Sequence, residues 1–130
     1  MSERKGYRGY IGSRTYRGDR APQHVQNLVV RDFCQRKAFT YLLSATEYAM
    51  PGSYMILKEV LREAQSIDGI VLYSIFMLPE RSERRMEICR AFLEQGATIH
   101  GALENLSITS EQELKAVDQM LMLNEMVIHS

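Results

Sequence analysis

Apolar positions along the chain follow two alternating spacings. Short runs rich in β-branched and aromatic residues are typical of strands, and they alternate with stretches whose apolar residues recur every three or four positions, as in helices. The predicted strands cover 7–15, 40–43, 69–74 and 97–103, and the predicted helices cover 22–37, 53–64, 82–96 and 110–128. This alternation predicts an α/β fold with a mainly parallel four-stranded sheet, right-handed crossovers and helices on both faces.

Residues that begin or end helices support these boundaries. Ser53 and Ser82 are predicted N-caps. Ser110 with Glu113 matches a capping box, and Gly96 suits the C-terminal stop of the third helix.

The last predicted helix, 110–128, carries more apolar surface than one packing face needs. Leu114, Val117 and Leu121 form one stripe, and after Val117 the helix is apolar nearly all round. A helix that is hydrophobic on every side must bury itself, so we predict a homo-oligomer interface over 110–128. The alternative is an intramolecular core helix that uses methionine as adaptable filler.

Length and composition indicate one ordinary globular domain over 1–130, since 45% of the 130 residues are apolar and 25% are charged. The 16 Lys and Arg balance the 16 Asp and Glu. The chain therefore lacks the overall positive charge of a general nucleic-acid binder, and we expect no nucleic-acid partner.

The zero net charge conceals an asymmetry between the two ends of the chain. Residues 1–20 hold six basic groups against two acidic ones, whereas residues 103–130 hold five acidic groups against one basic one. The first strand and its following turn are thus basic, and the last helix is acidic.

The sequence begins without an apolar signal segment, and its longest apolar-rich run, 69–78, is too short to span a bilayer. We therefore expect a cytoplasmic protein without membrane contact. Cys34 and Cys89 lie far apart on predicted helices and are expected to be reduced and buried. The three histidines lack metal-ligand spacing among themselves or with the cysteines, so a metal site is not expected. No cofactor is predicted.

Open α/β sheets bind ligands at the carboxyl ends of their strands, near a switch in strand order. After strand one come Ser13 and the arginines Arg14, Arg17 and Arg20. Arginines and hydroxyls near a helix N-terminus can hold an anion, so these residues, with Ser53 before the second helix, are the predicted ligand-binding set. A solvated, charged loop is the alternative. No glycine-rich phosphate fingerprint is present.

Four residues are candidates for chemistry: Ser13, Glu47, Tyr48 and Ser74. Glu47 beside Tyr48 can act as an acid/base pair, or it can be an isolated, solvated loop carboxylate. Ser74 can bind a ligand, or it can satisfy the local backbone.

Other polar residues favour structural interpretations. His100 on strand four is expected to be a packed core histidine, and His24 on the first turn of helix one faces either the site or water. Arg81, Arg84 and Arg85 form a charge run that is typical of a solvated helix face.

Four long runs within residues 6–109 are distinctive: Gly6-Tyr7-Arg8-Gly9-Tyr10-Ile11-Gly12-Ser13-Arg14, Arg20-Ala21-Pro22-Gln23-His24-Val25-Gln26-Asn27-Leu28, Glu47-Tyr48-Ala49-Met50-Pro51-Gly52-Ser53-Tyr54 and Tyr73-Ser74-Ile75-Phe76-Met77-Leu78-Pro79. These runs resemble the sporadic carbohydrate cluster proteins, a small bacterial family named for gene neighbourhoods of surface polysaccharide or glycolipid synthesis. The resemblance implies a role in that biosynthesis but no particular reaction.

The order of elements also resembles the catalytic domain of serine recombinases (resolvases), whose last helix forms dimers. Their Tyr-x-Arg-x-Ser motif would place an arginine at Gly12 and the nucleophilic serine at Arg14. Their arginine before a Pro-Gly step corresponds to Met50, and their Asp-Arg pair corresponds to Phe76 and Met77. Phosphoryl transfer needs positive groups around the phosphate, so these departures argue against DNA strand exchange.

Three functions follow, and whether the chain is an enzyme stays open. The first is a cytoplasmic protein of bacterial surface polysaccharide or glycolipid biosynthesis that binds or transforms a phosphorylated or nucleotide-linked sugar. The second is a non-catalytic dimeric scaffold or regulatory module. The third is a degenerate recombinase-like domain that binds DNA.

Overall fold

The computed structural model describes residues 5–12, 21–47 and 54–129. Within these residues, five strands form one sheet in the order β2-β1-β3-β4-β5. A short 3₁₀ helix, Ile75–Met77, follows β3. The elements are β1 Tyr7–Gly12, α1 Gln23–Arg36, β2 Tyr41–Glu47, α2 Met55–Arg62, β3 Gly69–Leu72, α3 Ser82–Glu94, β4 Thr98–Gly101, β5 Leu106–Ile108 and α4 Glu111–His129.

The sheet has five strands, so the prediction of four is wrong. Strands β1 to β4 are parallel as predicted, and β5 pairs antiparallel with β4. The predicted strand 97–103 ends at Gly101, and the chain reverses through a turn in which Asn105 has a φ of 55°. Asn tolerates this left-handed conformation better than most residues. Three residues, Leu106–Ile108, are too few for an alternating pattern to mark β5.

Strand β2 is longer than predicted and ends at Glu47 rather than Leu43. Its pairing with β1 shifts where Arg8 lies opposite Leu42 and Gly9 lies opposite Ser44, which leaves Leu43 as the extra residue of a β-bulge. Leu43 is 81% exposed. This outward-pointing leucine interrupts the apolar alternation, which explains why the pattern placed the strand end there.

The bulge is held by an arginine from the neighbouring strand. Arg8 Nε donates to the Leu43 carbonyl oxygen at 2.7 Å, and its Nη1 lies 2.8 Å from Glu63 Oε1. A bulge on an edge strand disfavours pairing with another chain.

The helices are distributed less evenly than predicted. Helix α1 contacts β1, β2 and β3, whereas α2 contacts β2 and α3. Helix α3 contacts β4 and α4, and α4 also contacts β5. Helix cover on both faces is therefore only approximate, because α4 lies mainly against α3 and the antiparallel edge.

The predicted capping signals hold at two of three described helix ends. Ser110 Oγ accepts from the Glu113 N–H, and after α3 Gly96 has a φ of 86° while the Ala97 N–H donates to the Phe92 carbonyl, as in a Schellman motif. Ser82 is not an N-cap, since it is the first residue of α3 and its hydroxyl bonds Asp118 instead. The remaining predicted cap, Ser53, lies outside the described residues.

Arg85 is buried, so the prediction that it lies on a solvated helix face is wrong. Its guanidinium pairs with Asp118 of α4 and donates to the Pro79 and Glu80 carbonyl oxygens. This contact joins α3 to α4. Cys34 and Cys89 are free, buried thiols as predicted.

The core is one cluster around β1, β3 and β4. All four β3 residues are buried, which matches the continuous apolar run in the sequence. Leu114, Val117 and Leu121 of α4 join the same cluster, as their spacing predicts. Among the described helices, none is both long enough and apolar enough to cross a membrane.

Candidate functional site at the carboxyl edge of the sheet

Strand order places a switch point at the carboxyl end of β1. The chain passes from β1 to β2 on one side, and then returns past β1 to β3 on the other. In open α/β sheets, the crevice at such a point is where ligands bind. The predicted site residues are Glu47, the last residue of β2, and residues of the segments that follow β1, β2 and β3.

The Gln26 side chain fixes both ends of the segment that follows β1. Its Nε2 donates to the carbonyl oxygens of Gly12, at 2.7 Å, and of Ala21, at 2.8 Å. Its Oε1 accepts from the Gly12 N–H at 2.9 Å. One buried amide thus ties the last residue of β1 to Ala21, two residues before α1.

Six of the predicted site residues lie in two segments that the structure does not describe. They are Ser13, Arg14, Arg17 and Arg20 after β1, and Tyr48 and Ser53 after β2; all lie outside the described residues. Their assignment to ligand binding or catalysis stays a prediction. The nearest described residues are Gly12 and Ala21 on one side, and Glu47 and Tyr54 on the other.

Glu47 is the last residue of β2 and is 2% exposed, so its prediction as a loop residue is wrong. Its Oε1 accepts from the Tyr10 hydroxyl at 2.7 Å and from the Leu57 N–H at 3.1 Å. Its Oε2 accepts from the Ile56 N–H at 3.1 Å. The carboxylate therefore caps α2, and its negative charge interacts favourably with the positive end of the helix dipole.

Ser74 follows β3 and is buried in a polar pair with Glu104. The Ser74 hydroxyl donates to Glu104 Oε2 at 2.7 Å and accepts from the Phe76 N–H at 3.2 Å. Glu104 Oε1 also accepts from the Ile75 N–H at 2.7 Å. The backbone role expected of Ser74 is thus present, because the hydroxyl caps the 3₁₀ helix.

Sequence reasoning missed Gln26 and Glu104, since both act through contacts distant in the chain. The order of residues signals neither, because only the fold brings Glu104 across from the turn before β5. Arg84 was predicted on a solvated helix face, but it contacts this edge of the sheet. Its guanidinium carbon lies 5.5 Å from the centroid of the Tyr54 ring, at the start of α2. Cation–π contact of this kind places the arginine at this edge rather than in free solvent.

His100 lies in the core, as predicted. Its two ring nitrogens lie 2.8 Å from Thr98 Oγ1 and 2.8 Å from Ser107 Oγ, and the ring packs near Phe39. Burial lowers the pKa of His100 to about 4, so the ring is neutral at neutral pH. His24 is exposed on the first turn of α1.

The described part of the chain contains no cluster of three or more His, Cys, Asp or Glu side chains that could hold a metal ion.

Comparison with solved structures identifies the fold. The chain is similar to the N-terminal catalytic domain of TP901-1 integrase, with a TM-score of 0.66 and 12% identity over 94% of this chain and 97% of that one. It is also similar to a resolvase family site-specific recombinase from Streptococcus pneumoniae, with a TM-score of 0.66 and 8% identity over 95% and 93% of the two chains. The resolvase-like fold is thereby confirmed.

The same comparisons limit the two resemblances seen in the sequence. No protein-family model matches the chain, and no curated protein matches it. The resemblance to sporadic carbohydrate cluster proteins therefore has no support from them. Where the recombinase resemblance implies an Asp-Arg pair, the structure has Phe76 and the fully buried Met77. The likeness to recombinases is one of fold.

Proposed function

We propose that this chain binds a phosphorylated or nucleotide-linked sugar at the arginine-rich segment after β1, as a cytoplasmic protein of bacterial surface polysaccharide or glycolipid biosynthesis. The proposal rests on the three hydrogen bonds that the Gln26 side chain makes with Gly12 and Ala21, which we call the Gln26 clamp. It holds together, at the switch point, the two ends of the segment that contains Arg14, Arg17 and Arg20.

Charge supports an anionic ligand at this position. Arginine pairs bidentately with phosphate, and three arginines lie within seven residues of sequence between the ends that Gln26 fixes. Helix α1 begins directly afterwards, with no acidic residue in its first turn and no side-chain cap among the described residues. Its N-terminal dipole adds about half a positive charge.

Calorimetric titration with inorganic phosphate and glucose 1-phosphate tests this proposal. Binding is expected to weaken at least about tenfold in Arg14→Ala, which corresponds to about 1.4 kcal/mol. Arg62→Ala is the matched control, because it removes the same charge from an exposed arginine on α2. The proposal would be contradicted if neither probe binds, or if Arg14→Ala and Arg62→Ala lose affinity equally.

A second candidate, DNA binding by a recombinase-like domain, is favoured by the fold comparison, with its TM-score of 0.66 over most of the chain. Against it stand the zero net charge and the absence of charge at Phe76 and Met77. A gel shift on plasmid DNA at low and high salt separates the two, because DNA binding must weaken steeply with salt.

Exposed apolar side chains on α4 favour the dimeric scaffold as a further candidate. On α4, the side chains of Met122 and Leu123 are 47% and 58% exposed and directly follow the buried Leu121. We propose that a second copy of the chain covers this surface, with or without ligand at the carboxyl edge. Clustered exposed apolar side chains are typical of interaction sites.

Light scattering on the purified chain tests the dimer. Leu123→Glu is expected to convert a dimer to a monomer at micromolar concentration. Leu28→Glu on α1 is the control, since Leu28 is similarly exposed but lies on another helix. A monomeric wild-type protein, or equal loss of the dimer in both variants, would contradict the proposal of a dimeric scaffold.

A further inference from the structure

Strand β5 is the shortest strand of the sheet and lies at its edge. It pairs only with β4, through three residue pairs. We call residues 102–110, from the turn after β4 to the residue before α4, the β5 segment. Parts of a protein with few backbone hydrogen bonds to the core open at a lower free energy than the core itself. The position of the β5 segment therefore depends strongly on its side-chain contacts.

Two carboxylates hold the ends of the β5 segment. Glu104, in the turn after β4, accepts from the Ser74 hydroxyl and from the Ile75 N–H, both at 2.7 Å. Glu113, in the first turn of α4, accepts from the N–H and from the hydroxyl of Thr109. A protonated carboxyl group accepts hydrogen bonds more weakly than a carboxylate. Both ends of the segment are thus fastened by groups that acid weakens.

The His100 ring holds the middle of the β5 segment. Its Nδ1 lies 2.8 Å from Ser107 Oγ of β5, and its Nε2 lies 2.8 Å from Thr98 Oγ1 of β4. The ring also packs against Phe33 and Phe39, with centroids 5.8 and 5.0 Å away, and the residue is 3% exposed. Both phenylalanines pack in the main core. Water therefore reaches the imidazole with least disruption when the β5 segment moves away.

We propose that the β5 segment is an acid-sensitive clasp, which opens when His100 takes up a proton while β1, β2 and β3 keep their pairing. A buried charge without an ionic partner is costly, and opening transfers the imidazolium to water. The ordinary pKa of histidine is about 6.5, and burial lowers the pKa of His100 to about 4. Proton uptake therefore favours the open state.

The groups that face His100 do not cancel this cost. Lys37, which follows α1, disfavours the imidazolium, whereas Glu113 of α4 favours it, and burial outweighs both. The ring centroid of Tyr7 on β1 lies 5.6 Å away, and burial raises the pKa of Tyr7, so its hydroxyl stays uncharged in acid. The direct partners on β4 and β5 are hydroxyls. A proton on the closed ring thus gains no carboxylate in direct contact.

Hydrogen exchange of backbone amides at pH 7 and pH 5, measured by mass spectrometry on the full chain, tests the clasp. Rates are first corrected for the pH dependence of the chemical exchange step. The opening constant of the β5 segment is expected to rise about 20-fold from pH 7 to pH 5, because the open and closed states differ in the pKa of His100. Strand β3 is expected to exchange more slowly than the β5 segment at both pH values.

Two variants and a control assign the effect to the clasp. His100→Gln is expected to abolish the pH dependence between pH 7 and pH 5. Ser107→Ala keeps the imidazole but removes its partner on β5, and it is expected to raise the opening constant about fivefold at pH 7. Glu111→Gln is the control, because it removes an exposed carboxylate from α4 and should change neither quantity.

Three results would overturn the proposal. The first is a β5 segment that opens equally often at pH 7 and pH 5, and the second is a β5 segment that exchanges only as slowly as β3. The third is a 20-fold rise that persists in folded His100→Gln. If that variant does not fold, Ser107→Ala decides: a raised opening constant at pH 7 supports the clasp, and an unchanged one contradicts it.

Discussion

Arg85 Nη2 lies 2.6 Å from a carboxylate oxygen of Asp118, and this buried ion pair joins α3 to α4. Asp118 also accepts from the Ser82 hydroxyl, and Arg85 donates to two carbonyl oxygens of the segment before α3. Both charges are thus well supplied with partners. A buried charge left without its partner is costly, whereas the intact pair adds little net stability.

Asp118→Asn is therefore expected to destabilise the protein by about 3 kcal/mol, because it leaves the Arg85 guanidinium buried and unpaired. Urea unfolding followed by circular dichroism measures the change. Arg85→Met combined with Asp118→Leu should recover much of the loss, since the double variant buries no charge.

A second ion pair, at the surface, joins the same two helices and provides a matched control. Arg90 Nη2 lies 2.7 Å from Glu111 Oε2, and both side chains are about half exposed. Exposed pairs contribute little, so Glu111→Gln should shift the urea midpoint far less than Asp118→Asn does. Equal shifts for the two variants would contradict the importance of burial.

His100 predicts a specific pH dependence of folding. Burial lowers its pKa to about 4, whereas the unfolded chain has the ordinary value of about 6.5. Between these values the unfolded state binds a proton that the folded state does not. Stability is therefore expected to fall by about 3 kcal/mol as pH drops from 6.5 to 4, and to be unaffected by this residue above pH 6.5.

Urea midpoints at several pH values measure this effect, with His100→Gln as the comparison. Glu113 also loses stabilisation in acid, because its hydrogen bonds with Thr109 hold its pKa below the ordinary value, but that loss begins below about pH 4.5. The range from pH 6.5 to 5 therefore isolates the histidine. The wild type should slope downward there and His100→Gln should not; parallel slopes would refute the assignment.

Much of the sheet could be predicted from the sequence, because its middle strand, β3, is apolar throughout and the helices between the strands have clear periodicity. The missed features have local physical causes. The bulge at Leu43 puts a large apolar side chain in water and so hides the second half of β2. Strand β5 is three residues long and gains its pairing only after the chain turns at Asn105.

The place of two candidate residues at the carboxyl edge of the sheet could be predicted from the sequence, but their contacts could not. The rule that ligands bind at strand ends selects Glu47 and Ser74, and both lie at that edge. Their hydrogen-bond partners, Tyr10 and Glu104, are 37 and 30 residues away in the chain. No local pattern marks such contacts, because they depend on which strands become neighbours.

The two cysteines should be chemically inert in the folded protein. Burial raises the pKa of Cys34 to about 11 and that of Cys89 to about 12, and the thiolate is the reactive form. A thiol-reactive dye at pH 8 should label neither in the native state and both in urea. Native-state labelling as fast as that of free cysteine would contradict this burial.

Gln26 is the residue through which the fold and the proposed site can be tested together. Gln26→Leu keeps the side-chain size but removes the three hydrogen bonds to Gly12 and Ala21, and leaving buried backbone groups unpaired should cost about 1–3 kcal/mol. Gln23→Leu, at an exposed position one turn earlier, is the control and should change stability little.

Phosphate affinity distinguishes a role of Gln26 in ligand binding from a purely structural role. If Gln26 positions the segment that carries the arginines, Gln26→Leu should weaken phosphate binding even under conditions where the variant is fully folded. Calorimetric titration at low temperature, with folding verified by circular dichroism, measures this. A folded Gln26→Leu variant with wild-type phosphate affinity would show that the clamp only stabilises β1 against α1, and the anion would then have to be held without it.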